Sequence, residues 1–206
     1  MSNSSEYSNV APFYDLLLSP FLKNIRRTVI KVVNRLKPKR IIDICCGTGE
    51  QLRMLKDRGF KGVGIDLSES MLNVAAKGNG LSDCFLQDAT DTDFTDESFD
   101  LAIITLALHE TGWEVAENII KEVNRILSPG GHLLIVDYEL SEKSGRAVKL
   151  VIRLIERFAG KRHYESFLEY NRNGGLAALV SGELFKPVSD RYKASQSIVM
   201  RLYAKI

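Results

Sequence analysis

The sequence predicts an α/β domain in which a mostly parallel β-sheet is covered by helices on both faces. From residue 40 to residue 138, short apolar segments alternate with amphipathic ones, as expected for parallel strands joined by helices. The 206 residues, 45% of them hydrophobic, fit one domain of ordinary size. The 28 basic residues nearly cancel the 26 acidic ones, so no nucleic-acid partner is indicated.

The first predicted element is an amphipathic helix from Phe21 to Leu36, because its apolar residues recur at helical spacing until Pro38 ends the pattern. Strands and helices then alternate with short loops. The predicted strands cover residues 40–45, 62–66, 84–87, 99–106 and 131–138, and the predicted helices cover residues 50–58, 68–77 and 114–127.

Beyond residue 138 the alternation stops. Helical patterns cover residues 144–158 and 164–180, and residues 183–197 and 198–206 alternate like an antiparallel hairpin. We expect one domain over residues 1–206. Its parts are an N-terminal helical arm at 1–37, a ligand-binding core at 38–140, a helical cover at 141–182 and terminal strands at 183–206.

The compartment is predicted from three features. The N-terminal residues lack the basic start and apolar run of a secretory signal, and no apolar stretch reaches the length of a membrane span. Cys45, Cys46 and Cys84 cannot pair completely, and the adjacent two point to opposite faces of a strand end. We expect small buried thiols in a reducing cytoplasm, with no metal site or structural disulfide.

The residues that suggest chemistry lie at the ends of the first three predicted strands. The turn Gly47-Thr48-Gly49 directly precedes a helix, whose free N–H groups suit a polar or anionic ligand that glycine allows to approach the backbone. Asp66 and Asp88 end the second and third strands, where a carboxylate can accept hydrogen bonds from a ribose diol. Capping of the following helices explains either acid alone, but not the three features together.

Leu52 argues against a dinucleotide. A dinucleotide-binding fingerprint that starts at Gly47 needs glycine or alanine at position 52, and no Gly-Lys-Ser/Thr follows for a phosphate-binding loop. A nucleoside without a pyrophosphate fits this turn better. An NAD-dependent oxidoreductase therefore stays a less favoured alternative.

Residues 38–140 carry five short motifs, each at the end or start of a predicted strand. They are Ile42-Asp-Ile-Cys-Cys-Gly-Thr-Gly49, Gly62-Val-Gly-Ile-Asp-Leu-Ser68 with Met71, Gln87-Asp-Ala-Thr90, Ser98-Phe99-Asp100 and Arg125-Ile-Leu-Ser-Pro-Gly-Gly131. Together they resemble the class I S-adenosylmethionine-dependent methyltransferases, particularly the branch with the ubiquinone- and menaquinone-biosynthesis enzymes.

This resemblance implies a Rossmann-like seven-stranded sheet of order 3-2-1-4-5-7-6, with strand seven antiparallel. It implies S-adenosylmethionine as cofactor, S-adenosylhomocysteine as product, and a cofactor site along the carboxyl edge of the sheet. The implied contacts are Asp43, Cys45, Cys46, Gly47, Thr48 and Gly49 with the methionine part, Asp66 with the ribose, Leu67 and Met71 with the adenine face, Asp88 and Ala89 with the adenine edge, Thr105 and Leu106 beneath the sulfonium, and Tyr14 at the methionine end.

Methyl transfer from a sulfonium is an in-line displacement, so the enzyme mainly aligns the reactants and excludes water. A general base is needed where the acceptor loses a proton. His109, after the fourth strand, is the candidate catalytic residue, with Glu110 second; a structural hydrogen bond is the other interpretation of His109.

The helical cover is expected to shape the acceptor pocket in this family, with Tyr138, His163, Tyr164 and Tyr170 as lining candidates. Residues 146–158 form an amphipathic pattern, interpreted as a helix that lays its apolar stripe on the sheet or pocket. The alternative is a lid or membrane-surface helix. The predicted stripe consists of Ala147, Leu150, Val151, Leu154 and Phe158.

The sequence thus predicts an enzyme that methylates a small molecule, with quinone-like or lipophilic acceptors as candidates. A regulator that binds S-adenosylmethionine without catalysis is the alternative, because a binding motif does not report turnover. Peripheral membrane contact is disfavoured, and the oligomeric state is not encoded in any motif.

Overall fold

The computed structural model describes residues 7–78, 80, 83–180 and 182–206, with side chains from Leu22 onwards. Within these residues lie eight helices and seven strands. The helices are α1 (Tyr7–Leu36), α2 (Glu50–Lys56), α3 (Glu69–Gly78), α4 (Leu108–Thr111), α5 (Trp113–Ile126), α6 (Arg146–Phe158), α7 (Lys161–Arg172) and α8 (Gly175–Leu179). The strands are β1 (Ile41–Ile44), β2 (Gly62–Asp66), β3 (Cys84–Leu86), β4 (Phe99–Thr105), β5 (Leu127–Tyr138), β6 (Phe185–Lys193) and β7 (Ile198–Lys205).

All seven strands form one sheet in the order β3-β2-β1-β4-β5-β7-β6. Strands β1 to β5 are parallel, whereas β7 pairs antiparallel with both β5 and β6. The predicted fold class and strand order are confirmed. Because β1, β2 and β4 share one direction, the loops that follow them lie at one edge of the sheet.

Both faces of the sheet are buried, which explains why its central strands are almost continuously apolar. Alternate residues of a strand point to opposite faces. Ile42 and Ile44 of β1 therefore pack in one core with α5 and α8. Ile41 packs in the other core, together with Val29 and Val33 of α1.

The amino edge of the sheet is held by Arg40. Its guanidinium contacts Asp100 Oδ1 at 2.7 Å and Ser128 Oγ at 2.8 Å, and it also reaches the Glu97 carbonyl at 3.2 Å. These bonds join the starts of β1, β4 and β5 at the end of the sheet that is remote from the predicted site.

Two local predictions about the helical elements need correction. The helix predicted at 164–180 is two helices, because Gly174, with a φ of 95°, interrupts the helical backbone between α7 and α8. The short helix α4 was not predicted, since four residues are too few for a periodic signal. No helix among the described residues is long and apolar enough to span a membrane.

The orientation predicted for α6 is wrong. The helix buries Ile152 and Glu156, whereas the residues of its predicted apolar stripe are exposed, Phe158 to 82%, although Val151 also borders the cavity described below. The predicted stripe rests on apolar side chains alone, and a helix face that also buries a charged residue does not appear in that pattern. Burial of the charged Glu156 is made possible by polar partners on α4, α7 and β5, which periodicity does not reveal.

Candidate functional site

The turn after β1 has a fixed, left-handed geometry. Cys45 and Gly47 have φ values of 56° and 54°, and the Cys46 amide donates to the Ile65 carbonyl at 2.9 Å. A Cβ added at Gly47 would meet no atom within 4 Å. The turn thus keeps an open space beside its backbone, and only glycine adopts this φ without strain.

Leu52 and Cys46 pack tightly against β2. A Cβ added at Gly64 would lie 2.7 Å from both Cys46 Sγ and Leu52 Cδ1. Leu52 therefore approaches the strand directly, over its glycines. In a dinucleotide fingerprint, a small residue on the helix allows close contact between helix and strand. Here the helix carries Leu52, and the small residues are on the strand, at Gly62 and Gly64.

Asp66 joins the turn to the start of α3. Its Oδ2 accepts from the Gly47 amide at 2.8 Å, and its Oδ1 accepts from the Ser68 amide at 2.8 Å. Burial raises the pKa of Asp66 above its usual value, although these amide hydrogen bonds lower it. The adjoining Leu67 is 68% exposed, and Met71 follows on α3.

Asp88 lies at the end of the neighbouring strand, β3, so the structure brings the two predicted acids to one edge. Asp88 Oδ1 accepts from the amide and hydroxyl of Thr90 at 2.8 and 2.7 Å, and Ala89 beside it is buried. The Gln87 amide donates to the Asp66 carbonyl at 3.3 Å, which connects the two strand ends.

Asp43 is buried within β1. Burial, together with the nearby Cys84 thiol, raises its pKa to about 8, against the opposing effect of Arg26 on α1. The side chain is therefore mainly protonated at neutral pH. A cationic amino group placed beside it, as the resemblance implies, would lower this pKa again.

Two buried polar side chains near the turn make no hydrogen bond among the described residues. They are Thr105, through its Oγ1, and Gln51, through both amide atoms. Buried polar atoms normally have partners, so these positions fit a bound polar molecule. Gln51 was not predicted; the signal was a polar residue on the buried face of α2, next to Leu52.

The structure describes the position of Thr48, a further predicted cofactor contact, but not the side chain of Tyr14. Thr48 completes the turn between the two glycines. Tyr14 belongs to α1 by its backbone, and its side chain lies outside the described residues.

Leu106 connects the turn to a cavity. β1 and β4 are neighbours, with Ile44 paired to Ile104, so the turn after β1 lies beside Leu106. Leu106 has a φ of 53° and donates its amide to the Val136 carbonyl at 2.7 Å. The cavity measures about 230 Å³ and is mainly apolar, being lined by Leu22, Leu106, His109, Glu110, Tyr138, Val148, Val151, Ile152, Ile155, Ala194 and Ile198.

His109 is buried at the wall of this cavity. Its Nδ1 lies 2.6 Å from Asp137 Oδ1, while Asp137 Oδ2 accepts from the Leu108 amide at 3.0 Å. Burial alone would lower the pKa of His109, but Asp137 and Glu156 together raise it well above its usual value. The two carboxylates therefore favour the protonated ring, which would suit stabilising a negative oxygen, and the general-base role of His109 stays a prediction.

Glu156 connects His109 to His163 and Tyr138. Glu156 Oε2 lies 3.6 Å from His109 Nε2 and 2.6 Å from His163 Nε2, and Glu156 Oε1 accepts from the Tyr138 hydroxyl at 2.8 Å. Burial raises the pKa of Glu156, but the two neighbouring histidines lower it to about 2. Asp137 and Glu156 were missed because neither lies in a motif.

The predicted acceptor-site residues therefore separate. Tyr138 lines the cavity, whereas His163 is not among the lining residues and contacts Glu156 behind the wall. Tyr170 instead packs in the core, donating to the Tyr138 carbonyl at 3.2 Å. Tyr164 stacks on Phe167 with ring centres 6.2 Å apart and is not part of the cavity wall.

A family model described as a methyltransferase domain matches residues 42–135, which contain the turn, Asp66, Asp88 and His109. The demethylmenaquinone methyltransferase of Thermus thermophilus is 36% identical over 142 residues, or 64% of each chain. Over this central part, the chain is similar in sequence to S-adenosylmethionine-dependent methyltransferases. The demethylmenaquinone methyltransferase of Bacteroides fragilis is 29% identical, over 95% of this chain and 85% of its own.

Solved methyltransferases have the same fold. A SAM-dependent methyltransferase of Methanosarcina mazei is 19% identical with a TM-score of 0.65, over 85% of this chain and 97% of that one. The N-methyltransferase NodS of Bradyrhizobium japonicum, solved with S-adenosylhomocysteine, is 16% identical with a TM-score of 0.61, over 90% and 88%. The match with the Thermus relative leaves about a third of that methyltransferase's length uncovered.

Proposed function

We propose that this chain transfers the methyl group of S-adenosylmethionine to a lipophilic small molecule with a hydroxylated ring, such as a quinol. The observation that carries the proposal is the apolar cavity beside Leu106, with His109 in its wall and held there by Asp137. An apolar space with few polar groups suits a ring that must be held in one orientation.

The residues present fit the cofactor. The turn at Gly47, Asp66 and Asp88 would hold its nucleoside, and the unpaired polar atoms of Gln51 and Thr105 offer further hydrogen bonds. S-Adenosylmethionine supplies an electrophilic methyl group. We propose Asp43, Cys45, Cys46, Gly49, Thr48, Tyr14, Leu67, Met71, Ala89 and Leu106 as the other contacts of the cofactor site.

The chain would contribute to the reaction by aligning the reactants, excluding water and stabilising negative charge on the acceptor. The aliphatic wall formed by α6 and β7 excludes water from the reacting atoms. His109, fixed by Asp137, would favour the deprotonated form of a ring hydroxyl, and so increase the electron density that attacks the methyl group.

The names of the relatives support a quinone-like acceptor, because both the Thermus and the Bacteroides proteins are demethylmenaquinone methyltransferases. A non-catalytic regulator has no need of an acceptor cavity beside the cofactor site. An NAD-dependent oxidoreductase is disfavoured by Leu52, which fills the space over β2.

We also propose that the chain works in the cytoplasm at the membrane surface. The free thiols of Cys45, Cys46 and Cys84 suit a reducing compartment. The exposed apolar stripe of α6 is flanked by basic residues, as in helices that lie on anionic bilayers. These basic residues are Arg146, Lys149, Arg153 and Arg157.

The test is methyl transfer from labelled S-adenosylmethionine to a short-chain demethylmenaquinol, compared with amine and carboxylate acceptors. We expect label in the quinol product, and tight S-adenosylhomocysteine binding by calorimetry. S-Adenosylhomocysteine binding without transfer to any phenolic or quinol acceptor would identify the regulator instead. Binding of NAD without S-adenosylhomocysteine would refute both.

Ile155→Trp tests the cavity itself. The larger ring should fill the acceptor space and lower kcat/KM for the quinol, while the Kd of S-adenosylhomocysteine stays unchanged. Val188→Trp, on the exposed side of β6, is the matched control and should alter neither quantity. Equal kcat/KM in Ile155→Trp and wild type would place the acceptor elsewhere.

A further inference from the structure

Three potential metal ligands converge behind the acceptor cavity. They are His109 Nε2 on α4, Glu156 Oε2 on α6 and His163 Nε2 on α7, and all three atoms lie within 4.8 Å of one another. His109 and Glu156 are buried, and His163 is 12% exposed. We call these three residues the His–Glu–His cluster.

Each member of the cluster is oriented by a second residue. His109 Nδ1 lies 2.6 Å from Asp137, His163 Nδ1 lies 3.4 Å from Glu110, and Glu156 Oε1 accepts from Tyr138. A carboxylate at Nδ1 favours the tautomer whose Nε2 lone pair is available. Histidines that bind metals are typically held in this way by a carboxylate or carbonyl.

The atoms that face each other are poorly satisfied by the protein. Glu156 Oε2 and His163 Nε2 are buried and form a close ion pair at 2.6 Å, but its geometry is not that of an ordinary hydrogen bond. An ion between the three ligands would satisfy these atoms, at the cost of small side-chain movements. Buried polar groups rarely stay without a partner.

We propose that His109, Glu156 and His163 bind one divalent transition-metal ion, with Zn²⁺ as the probe. Two histidines and one carboxylate are a common ligand set for zinc and for non-haem iron, and they leave coordination positions open. The sequence predicts no metal site, but that expectation is based on the three cysteines and does not consider these histidines. Because His109 lines the cavity, an open position is expected to face an acceptor there.

The role of the ion rests on the proposed function, but its binding does not. A bound cation would coordinate the ring oxygen of an acceptor and stabilise its negative charge. Zn²⁺ binds the unprotonated form of an imidazole nitrogen, so binding should weaken as the pH falls.

The decisive experiment is Zn²⁺ titration of the wild-type protein, labelled with ¹⁵N in its histidines, without cofactor or acceptor. We expect one equivalent to bind and to shift the Nε2 signals of two histidines. The third, His132 on β5, is outside the cluster and should not respond, so His132→Gln should bind Zn²⁺ as wild type does.

Variants then test the ligands and their supports. His163→Gln should abolish one-equivalent binding, and Tyr138→Phe should weaken it by about 10–100-fold, as outer-shell substitutions typically do. Co²⁺ should give a spectrum without the intense near-ultraviolet bands of thiolate ligands, and Cys84→Ala should leave it unchanged, because Cys46 and Cys84 form another contact pair.

Unchanged Nε2 signals on addition of Zn²⁺ would overturn the proposal, even if no variant folds. So would binding that survives in His163→Gln but is lost in Cys84→Ala. In either case Glu156 acts as an ion-paired bridge between the two histidines. Zn²⁺ binding with no methyl transfer would instead leave the metal site intact and refute the proposed activity.

Discussion

Gly64→Ala tests the packing that holds the cofactor turn. The added Cβ would lie 2.7 Å from both Cys46 Sγ and Leu52 Cδ1, and 2.9 Å from Cys46 Cβ. These distances are too short for real contacts, so the turn or α2 must move away from β2. Such overpacking typically costs about 1–3 kcal/mol of the free energy of unfolding.

The expected decrease in Tm for Gly64→Ala follows from the size of the domain. At about 2–4 °C per kcal/mol for a chain of this length, the variant should unfold roughly 2–12 °C lower, as measured by circular dichroism. Gly182→Ala is the matched control, since its added Cβ would meet no atom within 4 Å. Its Tm should stay close to that of wild type.

The same displacement should reach the ligand. Because Cys46 belongs to the turn, calorimetry should show weaker S-adenosylhomocysteine binding in Gly64→Ala and unchanged binding in Gly182→Ala. In a Leu52→Ala background the stability penalty of Gly64→Ala should shrink, because one of the two clashing side chains is shorter. Wild-type stability and affinity in Gly64→Ala would refute this account of the turn.

Three other predictions concern Asp66, Glu156 and the exposed apolar stripe of α6. Asp66→Asn should weaken S-adenosylhomocysteine binding by about 10–100-fold in calorimetry, as expected for lost charged hydrogen bonds; the exposed Asp96→Asn should not, and equal losses would count against a specific role. Because folding lowers the pKa of Glu156 from 4.5 to about 2, its contribution to stability is present above about pH 4.5 and is lost as the pH falls towards 2. Urea unfolding across that range should show a component of up to about 1.4 kcal/mol per pH unit that Glu156→Gln lacks, and identical slopes would contradict this. Leu150→Ser with Phe158→Ser should reduce sedimentation with anionic vesicles but not transfer to a short-chain acceptor, and unchanged sedimentation would remove the membrane contact.

Much of the fold could be predicted because the parallel strands are buried on both sides and so appear as short apolar segments. The bounds of β2 match its apolar segment at both ends, and the terminal hairpin was visible as alternation in residues 183–206. The strand order came from the family resemblance, since periodicity carries no information about which strands pair.

The cofactor edge was also accessible, because its residues follow strands directly and carry recognisable motifs. The structure brings Gly47 and Asp66 into hydrogen-bond contact and places Asp88 on the next strand, while their contacts with the cofactor remain predictions.

The acceptor side was less predictable for a physical reason. The polar groups in and behind its wall come from α4, β5, α6 and α7, and they have no fixed spacing in the chain. Glu156 in particular appears in the sequence as one charge among many on an amphipathic helix. Its burial depends on His109 and His163 from two other helices, so the buried face of the helix differs from the one that its apolar pattern indicates.

The contacts of Arg40 support the stability of the fold at a place distant from the residues that would choose the acceptor. They join three strands at the amino edge, with Asp100, Ser128 and the Glu97 carbonyl as partners, a full strand length away from the turn after β1. Substitutions accumulating at that edge would alter heat tolerance while leaving acceptor choice untouched. Selection for a new substrate could therefore proceed at the opposite edge, with stability restored independently around Arg40.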